Sequence, residues 1–152
     1  MINLKPNAVQ DDAMFELDPR FRQDTIDCGS FSLCRLLLMN DCRYPWFILV
    51  PQRENLREIH HMEEVDRQQL WVESVQLAFW MERFFTFDKL NVAALGNIVS
   101  QLHLHHVGRT INDTAWPGPV WGHQPAIPYS EQEVKRLQQA VLVAFADMLR
   151  RG

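Results

Sequence analysis

Three histidines lie within four positions in the segment QLHLHHVGR, residues 101–109. In an extended chain Gln101, His103 and His105 would share one face, because successive side chains point to opposite sides. A neutral imidazole is a competent nucleophile near pH 7, and the phosphoramidate that it forms with phosphorus is labile to hydrolysis. Nucleophilic catalysis at a phosphorus centre is therefore one interpretation of the segment.

Two other interpretations stay open from the residues alone. Polar residues that alternate with leucines are typical of the exposed face of an antiparallel sheet, in which case the histidines would be incidental. A His-x-His pair can also bind one metal ion, with His60, His61 or His123 as a third ligand brought in by tertiary structure. His106 falls on the leucine face, where it needs a sheet edge or a hydrogen-bond partner.

The segment resembles the signature of the histidine triad (HIT) family, in which three histidines alternate with apolar residues and an arginine follows closely. The flanking segments KLNVAALGNIVSQLHLHHVGR, LLMND and WFILVP resemble strands of that family, so the resemblance spans roughly residues 30–110. The chain looks closest to bacterial HIT-like proteins of the diadenosine tetraphosphate hydrolase-like type. The resemblance implies a homodimer with a continuous sheet, and a histidine-bound nucleotidyl intermediate.

By position, the resemblance implies that His103 is the nucleophile and that His105 contacts the phosphate oxygens. Gln101 occupies the first triad position, where the family has a histidine, and an amide cannot titrate near neutral pH. Two functions follow as predictions. One is a nucleotidyl hydrolase or transferase acting at the α-phosphate of nucleoside phosphate esters, anhydrides or phosphoramidates. The other is a nucleotide-binding protein in which Gln101 has weakened or abolished catalysis.

The resemblance also implies positions that bind the nucleotide or dinucleotide substrate. Asn91 and Asn97 would contact the phosphate and the leaving group, and Asn40 or Asp41 would contact the ribose hydroxyls. Arg109 would meet a phosphate oxygen. No resident metal or cofactor is expected, and Mg²⁺ would arrive only with the substrate phosphates.

Composition excludes several other classes. The 15 basic and 19 acidic residues give a formal net charge of −4, and without a basic block we expect no binding to DNA or RNA. The longest apolar runs, such as WFILV at 46–50, are far shorter than the roughly 20 residues of a membrane span. Three cysteines without C-x-x-C spacing indicate reduced thiols and predict a cytoplasmic protein.

Two helices are predicted from apolar periodicity and capping residues. Residues 66–85 repeat apolar side chains every three to four positions, and Asp66 stands at capping-box spacing from a glutamine. Residues 130–150 open on Ser130, with a glutamate three positions later, and carry a buried stripe of the same period.

Short β-prone segments make up most of the remaining pattern, and helices do not separate them one by one. This arrangement favours an α+β fold of the HIT type, with an antiparallel sheet and two main helices, as a single domain over 1–152. A Trp/Pro-rich stretch, 116–128, is predicted to be an ordered loop because its two tryptophans would otherwise expose large apolar surfaces. The predicted strands are 31–39, 46–50, 90–95 and, carrying the triad, 98–107.

Overall fold

A five-stranded antiparallel sheet forms the centre of the computed structural model, which describes residues 15–150. The strands lie side by side in the order β1-β2-β3-β5-β4, so β1 and β4 are the edges. The predicted α+β class with an antiparallel sheet is confirmed. The strand bounds are β1 Thr25–Ser30, β2 Cys34–Met39, β3 Trp46–Pro51, β4 Lys89–Ala93 and β5 Leu104–Arg109.

Three α-helices accompany the sheet: α1 Pro19–Asp24, α2 Glu64–Phe84 and α3 Glu131–Ala144. The capping box of α3 is confirmed, since the Ser130 hydroxyl accepts a hydrogen bond from the Glu133 N–H at 3.3 Å. The predicted capping box of α2 is wrong. That helix begins at Glu64, and the Asp66 carboxylate instead binds Arg53 through two hydrogen bonds of 2.6 and 2.7 Å.

Both faces of the sheet are covered, which explains the uninterrupted apolar run of β3, whose six residues are all buried. Phe47 and Leu49 face a core formed with α2 and α3. Trp46 and Ile48 face a second core, which contains Phe21 of α1 together with residues of the chain after β5. Burial of each large apolar side chain contributes about 1.5–3 kcal/mol, so both layers stabilise the sheet.

A buried carboxylate joins α2 to the turn before β2. The Glu73 side chain is fully buried, and its two oxygens accept hydrogen bonds from the Leu33 N–H at 2.8 Å and the Cys34 N–H at 2.9 Å. Ser32 and Gln69 donate to the same carboxylate. Four donors therefore replace the water that this group gives up on burial.

The triad strand is shorter than predicted. β5 begins at Leu104 instead of residue 98, because the preceding residues bond elsewhere: the Leu102 N–H donates to the Leu56 carbonyl at 2.8 Å. Within β5 the expected alternation holds. His105 lies opposite Ile48 and His106 opposite Phe47 on β3, so the two histidines project to opposite faces of the sheet.

The C-terminal helix is also shorter than predicted. It ends at Ala144 instead of residue 150, since Phe145 has non-helical backbone angles and the Arg150 N–H donates to the Ser30 carbonyl beside β1. Residues 116–128 contain no helix or strand. Among residues 15–150, no helix is long and apolar enough to cross a bilayer.

Candidate active site

His103 lies where the chain enters β5, and its ring is held from the backbone side. Its Nδ1 is 2.7 Å from the Gln101 carbonyl oxygen. Because a carbonyl oxygen can only accept, Nδ1 carries the proton, and in the neutral ring Nε2 keeps its lone pair. Phe21 of α1 contacts the ring edge-on, with 4.9 Å between centroids. His103 therefore has the tautomer that nucleophilic attack through Nε2 requires.

His105 has the opposite tautomer. The indole Nε1 of Trp46 lies 3.0 Å from His105 Nδ1. Since an indole N–H can only donate, Nδ1 accepts, and the neutral ring of His105 carries its proton on Nε2. The His103 and His105 rings lie 4.7 Å apart between centroids at an angle of 75°. A lone-pair nitrogen and an N–H donor thus occur on adjacent rings.

Burial keeps both rings neutral. It lowers the pKa of His103 below its ordinary value, although the Gln101 carbonyl acts in the other direction. Burial also lowers the pKa of His105 to about 3, with added repulsion from His103 and His106. Desolvation disfavours the charged form of a base, and a neutral imidazole is the nucleophilic form.

A pocket of about 280 Å³ opens beside His103. Asn97 and Leu95 line it from the segment after β4, and Arg57 lines it from the loop after β3. A larger cavity of about 700 Å³ adjoins it and shares the wall formed by Arg57 and Ser100. Of the predicted substrate-binding residues, Asn97 is the one that lines the His103 pocket.

The Gln101 side chain is hydrogen-bonded to the chain before α1 and not to the His103 ring. Its Oε1 accepts a hydrogen bond from the Asp18 N–H at 3.0 Å, and its Nε2 donates to the Glu16 carbonyl at 2.9 Å. The amide therefore holds the chain that precedes α1 against the triad segment. The contribution of Gln101 to His103 is a backbone carbonyl, which any residue at this position would supply.

Arg109 and Asn91 are held in a network of their own. Arg109 is buried and makes a two-point ion pair with Asp113, with hydrogen bonds of 2.8 and 2.9 Å. Its third donor reaches Asn91 Oδ1 at 3.0 Å. Hydrogen bonding to Arg109 lowers the pKa of Asp113. The structure does not place Arg109 or Asn91 on the His103 pocket, because this network uses their polar groups.

Asn40 and Asp41 bind the chain before α3. Asn40 Oδ1 accepts from the Tyr129 N–H at 3.0 Å. Asp41 pairs with Arg43 through hydrogen bonds of 2.9 and 2.7 Å. Burial opposes ionisation of Asp41, but the bonds from Arg43 outweigh it and lower the pKa. The Asn40 contact fixes the chain before α3 to the β2–β3 turn. The pair with Arg43 occupies the Asp41 carboxylate at the position predicted to bind ribose.

Two tryptophans belong to the site and were not predicted to. Trp46 orients His105, and Trp121 contacts the same imidazole edge-on at 5.2 Å and the Trp46 ring at 5.7 Å between centroids. The only sequence signal for Trp46 would have been the β3–β5 register, which places Trp46 opposite Val107 on the face that carries His105. Trp121 comes from the predicted ordered loop, and nothing local indicates its contact.

His106 lies on the helix side of the sheet, away from the pocket. Its Nε2 is 2.8 Å from the Ser74 hydroxyl of α2, while its Nδ1 is buried without a partner. Burial lowers the pKa of His106 to about 4. This histidine joins α2 to β5 and has no contact with a reacting group.

The metal-site interpretation gains no support from the described residues. Between residues 15 and 150, no group of three or more His, Cys, Asp or Glu side chains is placed to hold a metal ion. His60 and His61 contact each other on the surface, and His123 is exposed.

Comparison with known proteins gives the family. The family model described as HIT domain matches residues 21–112, more than half of the chain. The chain belongs to the histidine triad family. HIT membership supports nucleotide binding and, in general terms, hydrolase or transferase activity. No curated protein matches the chain.

Crystal structures of other HIT proteins agree with this assignment. A histidine triad protein from Marinobacter aquaeolei VT8 is 45% identical, with a TM-score of 0.86 over 90% of this chain and 99% of that chain. One from Sinorhizobium meliloti 1021 is 40% identical, with a TM-score of 0.83 over 86% and 96% of the two chains. A hypothetical histidine triad nucleotide-binding protein from Sulfolobus tokodaii strain7 is 11% identical over 85% and 89%, and its TM-score of 0.59 shows the fold alone.

Proposed function

We propose that this HIT protein is a nucleotidyl hydrolase or transferase that acts at the α-phosphate of its substrate through a covalent intermediate on His103. One observation carries the proposal: the protons of His103 and His105 lie on opposite nitrogens of two adjacent rings, and His103 lines a pocket of about 280 Å³. One ring offers a lone pair and its neighbour offers a donor. Attack on a phosphate ester, anhydride or phosphoramidate needs both.

The proposed reaction has two steps. The Nε2 lone pair of His103 attacks the α-phosphorus and forms an N–P bond, while the bond from phosphorus to the leaving oxygen or nitrogen breaks. The leaving group departs with that electron pair and takes a proton from water. Water or another acceptor then attacks the same phosphorus, and the N–P bond breaks with its electron pair returning to Nε2. The acceptor's proton passes to solvent, where it neutralises the hydroxide left by the first step, and His103 returns to its neutral form with the proton still on Nδ1.

Two contacts favour this intermediate. Bonding of Nε2 to phosphorus makes the His103 ring cationic, and the Gln101 carbonyl accepts from its Nδ1–H at 2.7 Å. Because Nδ1 of His105 accepts from Trp46, its Nε2–H is the ring group that remains to donate to a phosphate oxygen. Donors that are already oriented stabilise developing negative charge without reorganising during the reaction.

The observed role of Gln101 weakens the binding-only alternative. A lost triad histidine would disable catalysis if its side chain acted on the nucleophile. Here the Gln101 side chain binds the backbone of Glu16 and Asp18, and His103 receives only the carbonyl of residue 101. We therefore expect that glutamine in place of histidine at position 101 leaves the orientation of the nucleophile unchanged.

The experiment is turnover of three substrates by wild type and by His103→Ala: adenosine phosphoramidate, diadenosine tetraphosphate and a nucleoside diphosphate sugar. We expect cleavage of at least one by wild type, loss of cleavage in His103→Ala, and no change in the control His123→Ala, whose ring is exposed. Acid-labile nucleotidylated protein should accumulate in rapid mixing with wild type. AMP binding without cleavage or labelling would overturn the proposal in favour of a nucleotide-binding protein.

We further propose that the protein is a homodimer formed along β4. This strand is a sheet edge, so one side of its backbone has no partner strand in the described chain. Val92 of β4 and Trp71 of α2 are large apolar side chains left exposed there and on the helix side. Edge strands with exposed apolar residues favour pairing with another chain. Light scattering should give a mass twice the 17.9 kDa of one chain, and Val92→Lys should reduce the measured mass to that of one chain.

A further inference from the structure

Within residues 15–150, the imidazole of His105 receives one hydrogen bond, which comes from Trp46. Trp46 lies on β3, whose six residues are all buried, and is 6% exposed. Its ring is held edge-on between Tyr44, at 6.4 Å between centroids, and Trp121, at 5.7 Å. The indole N–H therefore has a fixed position and a fixed direction.

The direction of this bond determines whether His105 Nε2 can donate a hydrogen bond to a phosphate oxygen. A neutral imidazole with no bonded neighbour carries its proton on either nitrogen. If the proton were on Nδ1, Nε2 would present a lone pair to the negatively charged phosphate oxygens, which is repulsive. With an indole N–H directed at Nδ1, that arrangement would bring two donors together at 3.0 Å. The Nδ1–H tautomer is thereby disfavoured.

We propose that Trp46 is a positioning residue that holds His105 in the Nε2–H tautomer, so that His105 serves as a hydrogen-bond donor to the phosphate oxygens of the substrate. The catalytic part of this inference rests on the proposed nucleotidyl transfer at His103. The tautomer part does not, because it concerns the protein without substrate.

Trp121 provides the matched control. Its ring contacts the same imidazole at 5.2 Å, closer between centroids than the 5.7 Å of Trp46. Its Nε1, however, has no hydrogen-bond partner. Replacement of Trp121 by phenylalanine therefore removes similar ring area from His105 and no hydrogen bond to it.

The first measurement is the tautomer of His105 by ¹⁵N NMR of the imidazole nitrogens, in wild type, Trp46→Phe and Trp121→Phe. We expect Nε2–H in wild type and in Trp121→Phe, and a mixture of tautomers in Trp46→Phe. The same spectra should show His103 with its proton on Nδ1. If wild-type His105 carries its proton on Nδ1, or if Trp46→Phe leaves the tautomer unchanged, the proposal is overturned.

The second measurement is kinetics with whichever substrate wild type cleaves. In Trp46→Phe we expect kcat to fall on the order of 10- to 1,000-fold with a much smaller change in KM, because the donor acts on charge that develops in the transition state. Trp121→Phe should lose clearly less kcat than Trp46→Phe, because it removes a ring contact to His105 but no hydrogen bond. Equal losses in the two variants would assign Trp46 a merely structural role.

A third variant protects the test against misfolding. If Trp46→Phe fails to fold, β-(3-benzothienyl)alanine at position 46 keeps the shape of the indole and replaces its N–H by sulfur. It should give the same mixture of tautomers, and an unchanged Nε2–H tautomer would contradict the proposal. Absence of turnover by wild type would count against the proposed function alone, since the NMR result stands without it.

Discussion

Two histidines that are separated by a single leucine have different protonated nitrogens, because different neighbours bind their Nδ1 atoms. A carbonyl of the same chain segment orients His103, and an indole of the adjacent strand orients His105. The side chains are identical, but one ring presents a lone pair and the other a proton. The difference between them lies in the atoms that bind their Nδ1 positions.

At the residue scale, Gln101→Ala should separate backbone from side-chain roles. We expect kcat to change by less than about threefold, because the carbonyl that orients His103 remains. Stability should fall by about 1–3 kcal/mol, because two hydrogen bonds to the chain before α1 are lost. Single-turnover kinetics and urea unfolding measure the two effects. A loss of turnover comparable to that of His103→Ala would show that the glutamine side chain acts in catalysis.

Arg109→Lys tests whether this arginine has a structural or a phosphate-binding role. A lysine keeps the charge but cannot make the two-point pair with Asp113 and also reach Asn91, so we expect a loss of about 1–3 kcal/mol in unfolding free energy. The affinity of the folded protein for AMP should stay the same. Arg20→Lys is the control, because its ion pair with Asp24 is exposed and should be worth less than about 1 kcal/mol.

A stable Arg109→Lys protein with weakened AMP binding would restore the phosphate role that the sequence predicts. The sequence could not decide between these roles. Residue type shows that a guanidinium is available, but its partners come from folding: Asp113 follows four positions later on the chain that leaves β5, and Asn91 comes from β4. By contrast, the spacing of His103 and His105 was sufficient to predict that the two rings lie together.

At the element scale, sequence patterns predicted α2, β2 and β3 well, misplaced the end of α3 and the start of β5, and missed α1 and β1. α1 has only six residues, and β1 is an edge strand with a single buried residue, so neither has a distinct apolar pattern. The capping-box spacing at Asp66 matched a real motif by chance, since Arg53 from the loop after β3 takes the carboxylate. That competing contact is tertiary and leaves no trace in the local sequence.

Glu73→Gln tests the anchor between α2 and β2. The amide would place an N–H₂ group against a backbone N–H donor that the carboxylate now satisfies, so we expect a loss of about 1–3 kcal/mol in unfolding free energy. Thermal and urea unfolding provide the measurement. Glu82→Gln, on the exposed side of the same helix, should change stability by less than about 0.5 kcal/mol. Equal effects in the two variants would show that the buried network adds nothing to stability.

At the scale of the whole molecule, buried histidines should make stability depend on pH. Folding lowers the pKa of His106 from 6.5 to about 4 and that of His105 from 6.5 to about 3. Between those values the unfolded chain binds protons that the folded chain does not. The contribution of the two neutral histidines to the free energy of unfolding is therefore complete above about pH 6.5. It is lost as the pH falls through this range, towards pH 4 for His106 and pH 3 for His105.

Each histidine should contribute a slope of up to about 1.4 kcal/mol per pH unit in that window. His106→Phe should remove the contribution of His106 to this pH dependence, because phenylalanine fills the same buried site without titrating. The Ser74 hydroxyl can then donate to a helix carbonyl instead. Urea unfolding at pH 7, 6, 5 and 4.5 measures the slope, and His123→Gln serves as the exposed control. Parallel pH profiles for wild type and His106→Phe would contradict this prediction.

The contact of two indoles with one imidazole has an optical consequence. Trp46 and Trp121 lie 5.7 and 5.2 Å from the His105 ring between centroids, and they are two of only five tryptophans in the chain. Indole emission responds to the charge and hydration of its immediate neighbours. A ligand that settles beside His105 displaces water and brings charge to both rings, so the intrinsic fluorescence of the protein reports occupancy of the site without a dye, a label or a chemical step.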